Sequence, residues 1–256
     1  MTRCVEGRVS APPPVSWGAI PYMRADLRDK RRALERAGAI IAVSEAVATE
    51  LRTGGFARVT AIPNIVDVDE TQAAVGSPAS FPLPERFLLF VGKLEENKGA
   101  RLLIPAVAAA QTNLPLVILG EGRLTHAVKF EAASRDVPLI HRGWADRDDV
   151  LKAMARATAL VFPSLWPEPL SRVLLEALAL GTPMAAMDTG GTREMLIDGE
   201  SGLVVDTVAE LGAAVARLVA DETLRRRLGE GARARARLFS PEALVPRYEA
   251  VYQRLE

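Results

Sequence analysis

Ala159-Leu-Val-Phe162-Pro-Ser-Leu-Trp166-Pro167-Glu168-Pro-Leu170-Ser171-Arg172-Val-Leu-Leu-Glu176-Ala-Leu-Ala-Leu-Gly181-Thr-Pro183 passes through three local patterns in one short span. Residues 159–162 are a wholly apolar run of strand type, and Pro163 and Pro167 hold the following segment extended. Leu170, Val173, Leu174 and Ala177 then recur at helical spacing. Glu168 therefore sits at the mouth of a helix, and Glu176, eight positions on, lies about two turns further in. Its neighbours Leu175 and Ala177 are apolar, so a charge at Glu176 needs water or a dedicated partner. Arg172, four residues earlier, offers a surface ion pair worth roughly a few tenths of a kcal/mol, with Glu168 favouring the helix dipole. The hydroxyls of a ligand are the alternative partner.

Outward from this span, apolar runs alternate with helical stretches. The runs cover 87–91, 116–119, 137–140, 159–162, 183–187 and 203–205. The alternation predicts an α/β domain, a Rossmann-like parallel sheet with helices on both faces. Ligands of such sheets bind where strands end and helices begin. Residues 71–86 are rich in Ala, Ser, Gly and Pro and read as a linker. Ahead of it, an amphipathic stretch 22–36, a strand 40–43, a helix 44–52 and a strand 59–62 make a smaller unit, and two strands alone do not form a stable sheet. The expected divisions are 1–70, the linker 71–86, a main domain 87–238 and a closing helix within 239–256.

With 49% hydrophobic residues in 256 positions, the chain has material for one good core and a smaller second unit. No run reaches membrane-spanning length, residues 1–10 carry charges with no apolar run behind them, and Cys4 is the single cysteine. These features predict a cytoplasmic chain without a disulfide framework. A net charge of zero argues against nucleic-acid binding. Basic residues do cluster in 24–36 and 225–237, as solvated helix faces or, in a second reading, as peripheral contacts to an anionic membrane face.

Three loops carry candidate chemistry. Gly92, Lys93, Lys98 and Gly99 follow the first strand of the main domain, where two ammonium groups beside a helix start would neutralise a diphosphate. Gly190-Gly191-Thr192 offers unhindered amides for a phosphate or sugar, or simply a tight turn. Gly120-Glu-Gly122 is part of a dinucleotide fingerprint, but Thr125 stands where its last glycine belongs, which disfavours a nicotinamide enzyme. His126 and His141 do not form a zinc set, so His126 is expected on a helix surface and His141-Arg-Gly143 at a strand end.

Residues 166–183 resemble the Glu-x7-Glu motif of the retaining glycosyltransferases of the GT-B fold, family 4, also called group 1. Phe90-Val-Gly92-Lys93-Leu-Glu-Glu-Asn-Lys98-Gly99, Ile118-Leu-Gly120-Glu-Gly122, Asp188-Thr-Gly190-Gly191-Thr-Arg-Glu194 and Asp198-Gly-Glu-Ser-Gly202-Leu-Val are similar to the family's other landmarks, in its order. The resemblance runs from about residue 40 to the C-terminus. It implies a C-terminal donor-binding domain and retaining transfer of a hexosyl group from a nucleoside-diphosphate sugar, with no cofactor and no metal. Asp67-Val-Asp69 accordingly follows an Ile-Pro-Asn element and is not expected to chelate an ion.

By the same resemblance Glu168 holds the donor sugar's hydroxyls and Glu176 the ribose hydroxyls. Lys93 and Lys98 grip the diphosphate together with the backbone amides of Leu170, Ser171 and Arg172. Gly92, Gly120, Gly143, Gly190 and Gly191 let the donor approach the backbone, Gly143 near the base. The acceptor is a sugar, a lipid-linked sugar or a small molecule. The chain departs from the pattern in its short first unit, which implies a truncated acceptor-side domain that is inactive alone or completed by a partner or a second copy. It lacks a glycine-rich N-terminal loop and any histidine before His126, and Ser171 and Ile65 stand where many members have glycine. Two other readings are a non-catalytic sugar-nucleotide-binding module, or subunit of a split transferase, and a GT-B phosphorylase or epimerase.

Overall fold

The computed structural model describes residues 26–255. Cys4, residues 1–10 and the start of the stretch 22–36 lie outside the described residues; 26–36 are helical (α1). Two short strands, β1 (Ile40–Ala42) and β2 (Val59–Ala61), form a separate parallel pair flanking helix α2 (Glu45–Thr53). Six further strands make one parallel sheet: β3 (Leu88–Val91), β4 (Leu116–Leu119), β5 (Leu139–Gly143), β6 (Ala159–Phe162), β7 (Met184–Met187) and β8 (Leu203–Val205). Their order is β5-β4-β3-β6-β7-β8. The chain builds outward from β3 in one direction, then crosses to β6 and builds the other way. The switch point thus lies between the C-terminal ends of β3 and β6.

β4, β6 and β7 are apolar and buried at every position because helices cover both faces of the sheet. The period of two still sorts their side chains. Leu88 and Phe90 join a core with α4 (Ala100–Ala109), α5 (Thr125–Ser134), α9 (Val208–Ala220) and the first half of α10 (Glu222–Ala236). Leu89 and Leu160 join the opposite core with α6 (Arg147–Arg156), α7 (Arg172–Leu180), the end of α10 and α11 (Pro241–Tyr252). Helix starts follow local chemistry: Asp146 caps α6, Thr207 and Glu210 form a capping box on α9, and Ser240 followed by Pro241 opens α11. The strand expected over 137–140 lies two to three residues later. Pro138 has no N–H to contribute to a ladder, and β5 runs on to carry His141, Arg142 and Gly143 to the sheet edge.

The two-stranded unit is held by the larger sheet. Ile62 and Val66 are buried in the core shared with α11. Arg247 donates to the Ala61 carbonyl at 2.8 Å, the Tyr248 hydroxyl to Pro63 O at 3.2 Å, and the Val66 amide to Phe239 O at 2.9 Å. Across the junction, the Glu194 carboxylate of α8 (Thr192–Met195) accepts the first amides of α2, Glu45 N at 2.7 Å and Ala46 N at 2.9 Å. A carboxylate at a helix N-terminus satisfies orphan donors and the helix dipole together.

The segment read as a linker begins inside α3 (Val68–Ala73), whose N-cap is Asp67, accepting from Glu70 N at 2.9 Å. Farther on, Ser80 donates its hydroxyl and its amide to the buried Asp149 carboxylate of α6, and Arg142 lies over the Phe81 ring at 5.4 Å. Among the basic clusters, Arg225, Arg227 and Arg235 donate to carbonyls of Leu218, Gly199 and Glu194, and 26–36 carries the pairs Lys30–Asp26 and Arg31–Glu35. No helix among the described residues is long and apolar enough to cross a membrane.

The hydroxyl of Ser80, and then its amide, hold the Asp149 carboxyl below its ordinary value of 3.8. A lowered folded-state pKa stabilises the fold above that ordinary value, and the gain is lost as pH falls through the lowered one. Urea unfolding should therefore show the wild type losing more stability between pH 6 and pH 3 than Asp149→Asn does. Equal losses would remove Asp149 from the acid response.

Candidate functional site

The loops after β3 and β6 meet at the switch point. Leu165 N and Trp166 N both donate to Asn97 O, at 3.0 and 2.9 Å. Gly99 follows the 3-10 turn Glu96–Lys98 with φ +70°, and a Cβ there would lie 1.8 Å from the Pro163 carbonyl oxygen. Only glycine fits that conformation at that distance. The contact turns Lys98 inward, where its ammonium pairs with Glu168, and Ser164 donates its hydroxyl to the same carboxylate oxygen at 2.8 Å. Glu168 is 6% exposed and Ser164 fully enclosed, so this is a buried carboxylate with two dedicated donors. A third loop, after β7, completes the hub: Gly191 N donates to Glu168 O at 2.7 Å, and a Cβ on Gly190 would meet that oxygen at 2.4 Å.

The other expected residues sort into two places. Leu170 and Ser171 are buried beside Glu168, and Ser171 is the N-cap of α7 without a side-chain capping bond. The first amides of α7 at Arg172 and beyond therefore have no capping side chain, which leaves them suited to an anion. Gly92, Gly120 and Gly143 end β3, β4 and β5 as one row, with Gly92 N donating to Leu119 O at 3.0 Å and Gly120 N to Gly143 O at 2.6 Å. Next to the row is an open cleft of about 840 Å³ walled by Lys93, Arg123, Lys129 and Arg142 together with the acidic Glu95 and Glu121. Arg123 also holds the Glu95 carboxyl below its usual range through a 2.8 Å bond. The excess of basic groups gives the cleft an anion-attracting field. His141 Nε2 lies 2.9 Å from Gly120 O, and His126 is exposed on α5.

The two lysines, expected to act together, point to different places: Lys98 to Glu168, Lys93 to the cleft. Glu176, 13% exposed at its side chain, does have a dedicated protein partner, but it is not Arg172. Arg147 Nε, from the first turn of α6, donates to Glu176 Oε1 at 3.1 Å, and its other arm reaches Glu70 Oε1 at 3.0 Å. Arg147 and Ser164 carry no motif, and spacing does not reveal them; Asn97 lies within a family landmark but has no role assigned by the resemblance. Thr189 neighbours the hub, and its buried hydroxyl oxygen has no hydrogen-bond partner among the described residues.

A doubly wound parallel sheet with three glycine-bearing loops converging at its switch point defines a Rossmann-like ligand-binding domain. Residues 77–235 match the family model described as Glycosyl transferases group 1, and the chain belongs to that family. It is 34% identical to glycogen synthase of Mycobacterium tuberculosis over 194 residues, which are 73% of this chain and 46% of the relative. It is 32% identical to D-inositol 3-phosphate glycosyltransferase of Xylanimonas cellulosilytica over 201 residues, 71% of this chain and 48% of the relative. The chain thus spans about half the length of these curated relatives. Among solved structures, sucrose-phosphate synthase of Thermosynechococcus elongatus superposes with a TM-score of 0.74 at 26% identity, covering 91% of this chain and 62% of that one. Anabaena HepE, solved with UDP and glucose, superposes with a TM-score of 0.77 at 20% identity, covering 90% and 67%. The fold matches the C-terminal domain of GT-B glycosyltransferases.

Removing one partner from a buried ion pair leaves the other charge uncompensated. Lys98→Met should destabilise the fold by about 3 kcal/mol, the lower end for such pairs because part of Lys98 meets water. The double variant Lys98→Met/Glu168→Leu should recover most of that loss in urea unfolding. Simple addition of the two single effects would show that the pair is not energetically coupled.

Proposed function

We propose that this chain binds a nucleoside-diphosphate sugar and belongs to a retaining glycosyltransferase. The observation that carries the reading is the hub at the switch point, where Lys98 and Ser164 hold the buried Glu168 and Gly190-Gly191 backs it. In this reading the Glu168 carboxylate accepts hydrogen bonds from the donor sugar's hydroxyls. Lys98 spans the gap between that carboxylate and the diphosphate, Lys93 reaches the diphosphate from the cleft, and the amides of Leu170, Ser171 and Arg172 complete its cradle. Glu176 accepts from the ribose hydroxyls. Gly92, Gly120 and Gly143 keep the floor clear of side chains, with the base toward the cleft. UDP and UDP-glucose occupy structures of Anabaena HepE, which favours a uridine donor here.

The chemistry follows from where charge grows. The bond from the sugar's anomeric carbon to the diphosphate breaks, and a bond to the acceptor's hydroxyl oxygen forms on the same face. The acceptor's proton passes to the departing phosphate oxygen. Negative charge therefore increases on the leaving group in the transition state, and the two ammonium groups stabilise it there more than in the ground state. No metal ion is required for that neutralisation. The acceptor, a sugar, a lipid-linked sugar or a small molecule, enters from the side of the two-stranded unit.

The test is titration calorimetry against UDP-, GDP- and ADP-sugars, with donor turnover followed in parallel. One donor should bind, and Glu176→Ala should weaken it. Lys93→Ala, an exposed and structurally undemanding change, should lower turnover about 100-fold while the protein stays folded. A panel in which nothing binds would sink the reading, and binding without turnover would reduce it to donor recognition alone.

A further inference from the structure

We propose that Arg147 is a positioning residue for Glu176, holding one carboxylate oxygen so that the other is presented to the ribose of the bound nucleotide. The inference rests on the donor-binding reading above and adds a residue that no motif in the chain marks.

Arg147 is the first residue of α6, directly after the N-cap Asp146. A cation in that turn meets the positive end of the helix dipole, so its placement is locally unfavourable and must be offset by its partners. The neighbouring Asp148 and Asp149 are the residue type that position favours. Arg147 instead turns away from its own helix. Its Nε donates to Glu176 Oε1 at 3.1 Å and its NH1 to Glu70 Oε1 at 3.0 Å, so one guanidinium is shared between two carboxylates on α7 and α3. α3 is itself pinned along α7, where Gln72 donates to Ala179 O at 3.0 Å. Glu176 is therefore bracketed by two elements, with apolar Leu175 and Ala177 on either side in sequence.

The consequence is a carboxylate with one defined acceptor left over. Among the described residues only Oε1 of Glu176 takes a hydrogen bond, and Oε2 accepts none. The guanidinium holds Glu176 through one bond, and because its other arm is anchored on Glu70 the direction of that bond is set by two elements, which a lone flexible ammonium would not achieve. The ribose hydroxyls are donors, and a carboxylate with one oxygen already held loses less freedom when the other accepts from them. Arg147 also follows the β5–α6 loop that begins at Gly143, on the wall of the basic cleft. The segment beside the cleft and the orientation of Glu176 are thus mechanically joined.

The discriminating experiment compares nucleoside diphosphates with and without ribose hydroxyls. UDP, GDP and ADP are titrated into the intact chain by calorimetry, and the one that binds is then compared with its 2′,3′-dideoxy form. The wild type should prefer the ribose form by about tenfold, the size expected for hydrogen bonds to a charged group. Arg147→Ala and Glu176→Ala should each erase that preference, and the double variant should be no worse than Glu176→Ala alone. Arg147→Lys, which keeps the charge without the fork, should retain part of the preference and serves if Arg147→Ala does not fold. A merely structural role would weaken both nucleotides equally. That result, an unchanged preference, or additive losses in the double variant would each overturn the positioning role while leaving donor binding intact. A wild type that binds none of the three nucleotides, or binds both ribose and dideoxyribose forms equally, would overturn the reading of the site itself and this inference with it.

Discussion

A carboxylate buried at the switch point of the sheet sets the terms for everything around it. Glu168 is 6% exposed, and a charge removed from water to that degree persists only with close, oriented partners. The carboxylate's partners are Lys98, from the loop after β3, and Ser164, from the start of its own loop, while the amide of Gly191, from the loop after β7, holds the Glu168 backbone carbonyl. The two side-chain partners join the loops after β3 and β6, and the backbone bond from Gly191 adds the loop after β7. Gly99 and Gly190 allow that close approach of the loops, since a side chain at either would occupy the space of a neighbouring carbonyl.

Electrostatic pairing also explains how the smaller unit stays in place. Among the described residues the smaller unit has two strands, and α11 and Glu194 hold it against the larger sheet. Glu194 lies in the turn that follows Gly190 and Gly191, so the element that backs Glu168 also caps α2. The candidate donor loop and the first unit therefore share one short helix as a mechanical link. Ser80 and Asp149 perform a comparable service for the segment between the two units. In each case a buried or capping carboxylate adds a directional hold to a backbone segment that also packs apolar side chains, such as Ile41 and Phe81, against the core.

Much of this architecture was legible residue by residue. Strands at 116–119, 159–162 and 203–205 coincide with the observed β4, β6 and β8, because an apolar run bounded by loop residues has few alternatives in an α/β pattern. Other strand ends shifted by a single residue, and the larger shift, at β5, has a local reason visible in Pro138 once the register with β4 is known. Among site residues, the glycine rows and the loops bearing Lys98, Glu168, Gly190 and Gly191 were legible because each follows a strand at the same edge of the sheet. Their mutual contacts were not, since nothing in the spacing of Lys98 and Glu168, 70 positions apart, indicates that they touch.

Glu176 shows most clearly where sequence ends. Its isolation between Leu175 and Ala177 demonstrated the need for a partner, and the nearest basic residue at helical spacing was Arg172. The partner is Arg147, 29 positions away on another helix. The sequence by itself determined the strands, the helices, their caps and the edge at which functional loops gather, because periodicity and capping act over a few residues. Only the tertiary structure decided which charge meets which, and which of two lysines turns inward, because those outcomes depend on how loops from distant segments pack around a carboxylate that water cannot solvate.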